Sequence, residues 1–381
     1  MRLNPSLAAL GTYSIGGIQE TARRMRAEGR RLVDFSIGDP REPTAPFIIA
    51  AARNSIPSVS QYPTTSGLPE LRESIAGYVW RRFGVEVDPG TQIMPTSGGK
   101  ESIFSSHLAF VDRVRADVVV WPTPGYPIYE RGAVLAGATP FPVKISGDFI
   151  MRAADLPDRI WATAAMVWIC TPHNPAGSVT SADELRGLYE RARHEGALLC
   201  SDECYADLYD DDEPPTSILQ TAGPGAVGCL AFFSLSKRSG MTGYRSGAIV
   251  GDADAIAAIR SLRAGTGTAS PEFIQLAAAA AWADDEHVAE RRDIFRQKRA
   301  ILAKAFDGLG YGISGSVAGI YLWVDVGDDV GVSNRLLDDG ILVTPGRGFG
   351  PGGEGFIRLA LVPTLDECDE AAAALVACLG R

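Results

Sequence analysis

The stretch of this 381-residue chain with the most evident chemistry is SLSKRSGMTGYRSG, residues 234–247. It follows an apolar run, CLAFF (229–233), that reads as a buried strand. Lys237 therefore stands just past a strand, among hydroxyls and small residues, with arginines at 238 and 245. Such a setting can desolvate an amine and leave it neutral and nucleophilic, ready to attack a carbonyl carbon. Ser234, Ser236 and Arg245 are donors of the kind that hold a phosphate group. Taken alone, the same loop also reads as a basic, solvated turn, so other parts of the chain must supply the rest of any site.

The elements that would position those parts are legible as alternating segments. Residues 116–121, 164–170, 197–202 and 229–233 are short apolar runs, polar on neither face. That pattern fits strands of a sheet covered on both sides. Ser181-Ala-Asp-Glu184 is a capping box opening a helix to about residue 194, with Gly196 just past its end. Ser270-Pro271 predicts another helix start, cap then proline. Repeated strand–helix order predicts an α/β fold around a mostly parallel sheet.

Ligands of such sheets bind beyond the carboxyl ends of the strands. Four groups fall there: PTPGY (122–126), TPHNPAG (171–177), DECY (202–205) and Lys237. Together they offer an amine for an aldehyde, a carboxylate for a pyridinium nitrogen, an amide and a phenol for a phenolic oxygen, and a ring to stack. These are the groups needed to hold pyridoxal phosphate. Thr96-Ser-Gly-Gly-Lys100 opens a further helix to about residue 111, and its exposed N–H groups suit a phosphate.

The length allows one large domain and a smaller one, and the net charge of −10 argues against nucleic acid or anionic membrane as partner. Six cysteines without a CxxC pair read as reduced core thiols, and no metal-ligand spacing is present. The N-terminus has no apolar core for a signal peptide and no run approaches a membrane span, so a cytoplasmic protein is expected. A charged helical stretch at about 284–306 precedes strand-like 319–325 and 356–362 and an Ala-rich final helix. The division expected is an N-terminal arm with part of a small domain (1–45), a large domain (46–283) and a small α+β domain (284–381). His107, His194 and His287 read as surface or packing residues, His173 as a loop-shaping one. Asp207 and residues 210–213 read as a solvated acidic run.

Arg358 lies within the apolar strand FIRLA (356–360) and needs a partner there. An amino acid's α-carboxylate fits its planar fork, and a buried structural salt bridge is the alternative. Taken in order, SGGK, PTPGY, TPHNPAG, SDECY, SLSKRSGMTGYRSG and FIRLA resemble the fold-type I, class I/II pyridoxal phosphate-dependent aminotransferases, over nearly the whole chain. The resemblance implies a large domain with a seven-stranded, mostly parallel sheet and a small α+β domain. It makes Lys237 the Schiff-base lysine and proton carrier, Asp202 the partner of the ring nitrogen, and Asn174 and Tyr205 the contacts of the phenolic oxygen. Tyr126 would stack on the ring. Gly98, Gly99, Lys100, Ser234 and Arg245 would hold phosphate, joined by Tyr62 from the partner of a homodimer with shared active sites. Gly38 would approach the substrate carboxylate beside Arg358.

The segments SIGDPREPTAP (36–46), QYPTTSGLP (61–69), YPIYE (126–130) and AGIYLWV (318–324) look like those of N-succinyldiaminopimelate aminotransferases of lysine biosynthesis. Arg41 and Arg347 depart from that subgroup and are candidates for a distal carboxylate, as in a succinyl group or 2-oxoglutarate. The expected activity is amino transfer from an amino acid to a 2-oxo acid, with N-succinyl-diaminopimelate and 2-oxoglutarate as candidate substrates. Alternatives on the same scaffold are an aspartate- or aromatic-type aminotransferase, a C–S β-lyase, and a non-enzymatic cofactor-binding regulator.

Overall fold

The computed structural model describes residues 1, 3–10, 15–210 and 213–380, with the side chains of residue 9 and of 15–19 outside that description. Val33–Asp34 (β1) is a short strand near the N-terminus. A seven-stranded sheet follows, built from Ile93–Thr96 (β2), Val118–Thr123 (β3), Thr139–Lys144 (β4), Ala164–Cys170 (β5), Leu198–Asp202 (β6), Cys229–Ser234 (β7) and Gly247–Gly251 (β8). Its order is β2-β8-β7-β6-β5-β3-β4. Strands β7, β6, β5, β3 and β4 run parallel, while β8 is antiparallel to both of its neighbours.

The expected sheet is therefore the observed one, and burial explains why its strands lack alternation. Every residue of β3, β7 and β8 is buried, because helices cover both faces. Tyr78, Phe83, Phe233 and Trp282 cluster on one side, and Tyr129, Trp168, Phe232 and Ile256 on the other. The helix Ala182–Glu195 begins at the predicted capping box: the Ser181 hydroxyl accepts from the Glu184 amide at 3.3 Å and the Glu184 carboxylate from the Ser181 amide at 3.0 Å. Ser270 does not cap. The next helix is Glu272–Ala283, and the Ser270 hydroxyl instead donates to the Arg245 carbonyl at 3.0 Å, tying that helix entry to the loop after β7.

A second, four-stranded sheet is assembled from Gly312–Ser314 (β9), Tyr321–Asp325 (β10), Thr344–Pro345 (β12) and Phe356–Ala360 (β13), in the order β12-β13-β10-β9 and wholly antiparallel. Ile341–Leu342 (β11) pairs in parallel with β1, so residues 33–34 add to this C-terminal section across more than 300 positions of chain. Phe35 shares one apolar cluster with Phe306, Leu322, Leu359 and Leu375. The helix Glu286–Gly308 packs against β9, β10 and the final helix, and its buried Lys298 meets the Glu42 carboxylate.

The turn carrying Lys237 is anchored from below. Arg238, 3% exposed, donates to Asp207 at 3.0 Å, to Asp285 at 2.7 Å and to the carbonyl of Ala281 at 2.7 Å. Its guanidinium lies over the rings of Tyr78 (4.8 Å) and Trp282 (5.2 Å). Asp207 is thus a buried counter-ion rather than part of a solvated run, being shared by Arg238, Arg82 and the Tyr78 hydroxyl. Asp211 and Asp212 lie outside the described residues. Replacing Arg238 by methionine strands the buried Asp207 charge on one remaining arginine. Arg238→Met is expected to cost about 3 kcal/mol of stability, measured as a lowered urea midpoint with an unchanged m-value.

Candidate active site

Strands β3, β5, β6 and β7 end at Thr123, Cys170, Asp202 and Ser234, and a cavity of about 610 Å³ opens beyond them. It is lined by Asn174, Asp202, Tyr205, Ser234, Lys237 and Arg245 from those strand ends, with Gly99, Lys100 and Tyr126. Gly38 and Arg358 reach it from the other sheet's side, so the chain brings most of the sequence-predicted residues to one place. Gly98 belongs to the same wall through Arg245: a Cβ at position 98 would come within 2.7 Å of the Arg245 guanidinium.

Lys237 sits in the four-residue helix Leu235–Arg238, capped by the Ser234 hydroxyl, which accepts from the Ser236 amide at 3.1 Å. Its ammonium donates to the Gly38 carbonyl. Burial brings Lys237 down from its ordinary value to about 8, against the opposing pull of Asp39 and with the help of Arg245 and Arg358. Asp202, 3% exposed, accepts from the Tyr129 hydroxyl at 2.7 Å and from the Cys204 amide at 3.2 Å. Burial holds the Asp202 carboxyl above the usual carboxylate range, with the Cys204 thiol, the Tyr129 hydroxyl and the Cys204 amide pulling the other way.

Arg358 is 3% exposed and donates to the Asn174 side chain at 3.0 Å and to the Ser36 carbonyl at 2.7 Å. Its guanidinium is sandwiched by Tyr321 at 4.3 Å and Phe349 at 4.5 Å. Among the described residues no carboxylate of the chain pairs with it, and its Nε is buried without a partner. A structural salt bridge is therefore not what holds it, and its remaining N–H groups can take an external carboxylate.

The residues also fit a phosphorylated ring cofactor. Gly98 has φ 94°, a conformation that glycine adopts without strain, and it leads into the helix Gly99–Phe110. A Cβ at position 99 would stand 2.8 Å from the Cys204 thiol and 3.6 Å from Ser234, so a side chain there would fill the cradle. What remains is a helix N-terminus beside Arg245 and Ser234, able to hold an anion. Asn174, Tyr205 and Asp202 then stand where a ring's oxygen and nitrogen can be held, and Tyr126 supplies the aromatic wall.

Three predicted residues are elsewhere. Arg41 is locked on the Glu367 carboxylate at 2.7 and 2.8 Å, and Arg347 on the buried Asp329 at 2.7 and 2.9 Å. Neither lines the cavity, because a carboxylate of the chain itself occupies each guanidinium. Tyr62 is 101% exposed and lies apart from the cavity of its own chain.

Of the histidines, His107 and His173 are buried and both are held down to about 4 by desolvation; His287 is buried between Asp284 and Ser239; His194 is exposed. None of the six cysteines is in a disulfide, and the described residues contain no metal-binding cluster. None of their helices is long and apolar enough to cross a membrane. The cavity also contains residues that the sequence alone did not single out: Asp39, Tyr321 and Phe349 in its lining, and Tyr129 behind Asp202. The Tyr129 signal was present as a second tyrosine one helical turn after Tyr126, but nothing local tied it to Asp202. In the cofactor-free protein, acylation of Lys237 is expected to rise with pH and level off above about 8, as the amine loses its proton. Peptide mass spectrometry of position 237 reads this directly, and a rate still climbing through the ordinary lysine range would contradict it.

The sequence matches the family model of class I and II aminotransferases over residues 30–375. It is 34% identical to the LL-diaminopimelate aminotransferase of Desulforudis audaxviator, covering 98% of this chain and 96% of that protein. Against the LL-diaminopimelate aminotransferase of Aquifex aeolicus the identity is 33%, with 94% of each chain covered. An aminotransferase of Neisseria meningitidis superposes with a TM-score of 0.92 at 31% identity, over 99% of this chain and 100% of that one. A probable N-succinyldiaminopimelate aminotransferase of Thermus thermophilus gives 0.88 at 28%, over 95% and 99%. With Lys237, Asp202 and Arg358 converging at the carboxyl edge of a seven-stranded, mostly parallel sheet, the chain belongs to the class I and II aminotransferases, enzymes of fold type I that use pyridoxal phosphate.

Proposed function

We propose that this enzyme transfers an amino group between a diaminopimelate-type donor and a 2-oxo acid, with 2-oxoglutarate as acceptor. The observation that carries the reading is the presence of two groups in one cavity: an amine with a lowered proton affinity at Lys237 and, at Arg358, an aromatic-clamped guanidinium with no carboxylate of the described chain on it. Pyridoxal phosphate supplies an aldehyde carbon for the amino group and a cationic ring that withdraws electrons. Arg358 binds the α-carboxylate and thereby turns the α-carbon toward Lys237. Asn174 orients the guanidinium, while Tyr321 and Phe349 exclude water from it and strengthen its pairing. The Lys237 amine, once free, takes the proton from the α-carbon and returns it at the other end of the transfer. Asp202 holds the ring's N–H, and Gly98, Gly99, Lys100, Ser234 and Arg245 hold the phosphate, joined by the partner's Tyr62 in a homodimer.

The diaminopimelate class is supported by the names of relatives more than 30% identical over nearly the full chain. Within that class, Asp39 favours the unacylated substrate over the N-succinyl derivative. It lines the cavity, where its charge acts on Lys237, and among the described residues no salt bridge ties it down. Diaminopimelate carries a second ammonium that this carboxylate can attract. The succinyl derivative places an amide and a further carboxylate there instead, and the two arginines that could have met that carboxylate, Arg41 and Arg347, are already paired.

The decisive assay offers 2-oxoglutarate with LL-diaminopimelate, N-succinyl-LL-diaminopimelate, aspartate and an aromatic amino acid, and measures glutamate formed. LL-Diaminopimelate is expected to give the highest kcat/KM; aspartate or the aromatic donor leading instead would overturn the substrate proposal, and pyruvate with ammonia would indicate a lyase. Asp39→Asn is expected to lower kcat/KM for LL-diaminopimelate about fivefold, the scale of one exposed charge pair. The value for the N-succinyl derivative should stay unchanged or rise.

A further inference from the structure

The Asp202 carboxylate is held within the chain by the amide and the thiol of Cys204 and by the Tyr129 hydroxyl, which comes from a different element. Tyr129 belongs to the helix Ile128–Ala136, one turn beyond Tyr126, and is 0% exposed. Its hydroxyl lies 2.7 Å from Oδ2 of Asp202. That separation is in the range of a charge-assisted O–H···O bond. An ionised carboxylate has only acceptors, so the phenol must be the donor. The Cys170 thiol is the other polar group beside the hydroxyl.

The ring of Tyr129 has no freedom to turn away. It stacks on Trp168 with centroids 5.3 Å apart, and Trp168 stacks on His107 at 5.3 Å and touches Phe232 at 4.8 Å. Tyr126, the aromatic wall of the cavity, meets Tyr129 edge-on at 5.9 Å. A column of rings under the sheet's carboxyl edge therefore fixes the hydroxyl on one oxygen of Asp202. A buried carboxylate tends to neutralise unless donors hold its charge, and a neutral Asp202 would offer a cationic N–H an acceptor but no counter-charge.

We infer that Tyr129 is a positioning residue, whose hydroxyl keeps Asp202 ionised and oriented for the protonated ring nitrogen of pyridoxal phosphate. It acts through Asp202 and touches neither substrate nor phosphate. The inference rests on the reading that Asp202 faces the ring nitrogen, so its test checks that reading separately.

Cofactor-free enzyme is titrated with pyridoxal phosphate and with its 1-deaza analogue, in which C–H replaces the ring nitrogen, and both dissociation constants are read from tryptophan fluorescence. The wild type should bind the natural cofactor more tightly than the analogue, and Asp202→Ala should abolish that preference. Tyr129→Phe, which keeps the stacked ring, should reduce the preference about tenfold while leaving affinity for the analogue unchanged. Tyr129→His, with a different donor at the same place, should recover part of it. If Tyr129→Phe weakens both ligands equally, or leaves the preference at the wild-type value, Tyr129 is a packing residue and the inference is overturned. A preference that survives Asp202→Ala overturns the reading of Asp202, and the inference with it.

Discussion

An amine kept partly out of water, at the place where five parallel strands end, is the constraint around which the molecule is organised. Charge on Lys237 is disfavoured by burial, and what relief the chain gives comes from the Gly38 carbonyl and the Asp39 carboxylate. To maintain that situation, β7 must be covered on both faces so that its end emerges from apolar surroundings. The following turn must also be held stiffly, which Arg238 does from beneath through two carboxylates, backbone carbonyls and two rings. The loop bearing Gly38 must in turn be fixed to the rest of the protein, and the buried Glu42–Lys298 pair does that a few residues on.

The buried cations differ in what meets them. Arg238, Arg263, Arg299 and Lys298 are each met by a carboxylate of the chain, while Arg291 donates to the carbonyls of Lys237 and Pro43. Arg358 is met by an amide oxygen, a carbonyl and two aromatic faces. These partners lower the cost of burying its charge without placing a carboxylate of the chain on it. Arg41 and Arg347, outside the cavity lining, each already have a carboxylate of the chain.

Local chemistry was readable from the chain because it depends on neighbours in sequence. The capping box at Ser181, the Gly98-Gly99 entry to a helix and the strand-end positions of Asn174, Asp202 and Lys237 are each specified within a few residues. Ser270 was misread as a cap because its acceptor, the Arg245 carbonyl, lies 25 positions earlier and reached it only through the fold. The acidic run after Tyr205 looked solvated for a similar reason: Arg82 and Arg238, which claim Asp207, come from remote segments.

By itself, then, the sequence determined the alternating architecture, the lysine that can be desolvated and the kinds of group available to a phosphorylated ring. Periodicity, caps and residue type are properties of short stretches, and short stretches are what a linear reading resolves. Only the tertiary structure decided which charges were already taken. Glu367 for Arg41, Asp329 for Arg347, Asp207 for Arg238 and Tyr129 for Asp202 are pairings across 18 to 326 positions. Which donor meets which acceptor at such distances is settled by packing, because burial makes every unpaired polar group costly and the fold alone determines which ones come close enough to pair.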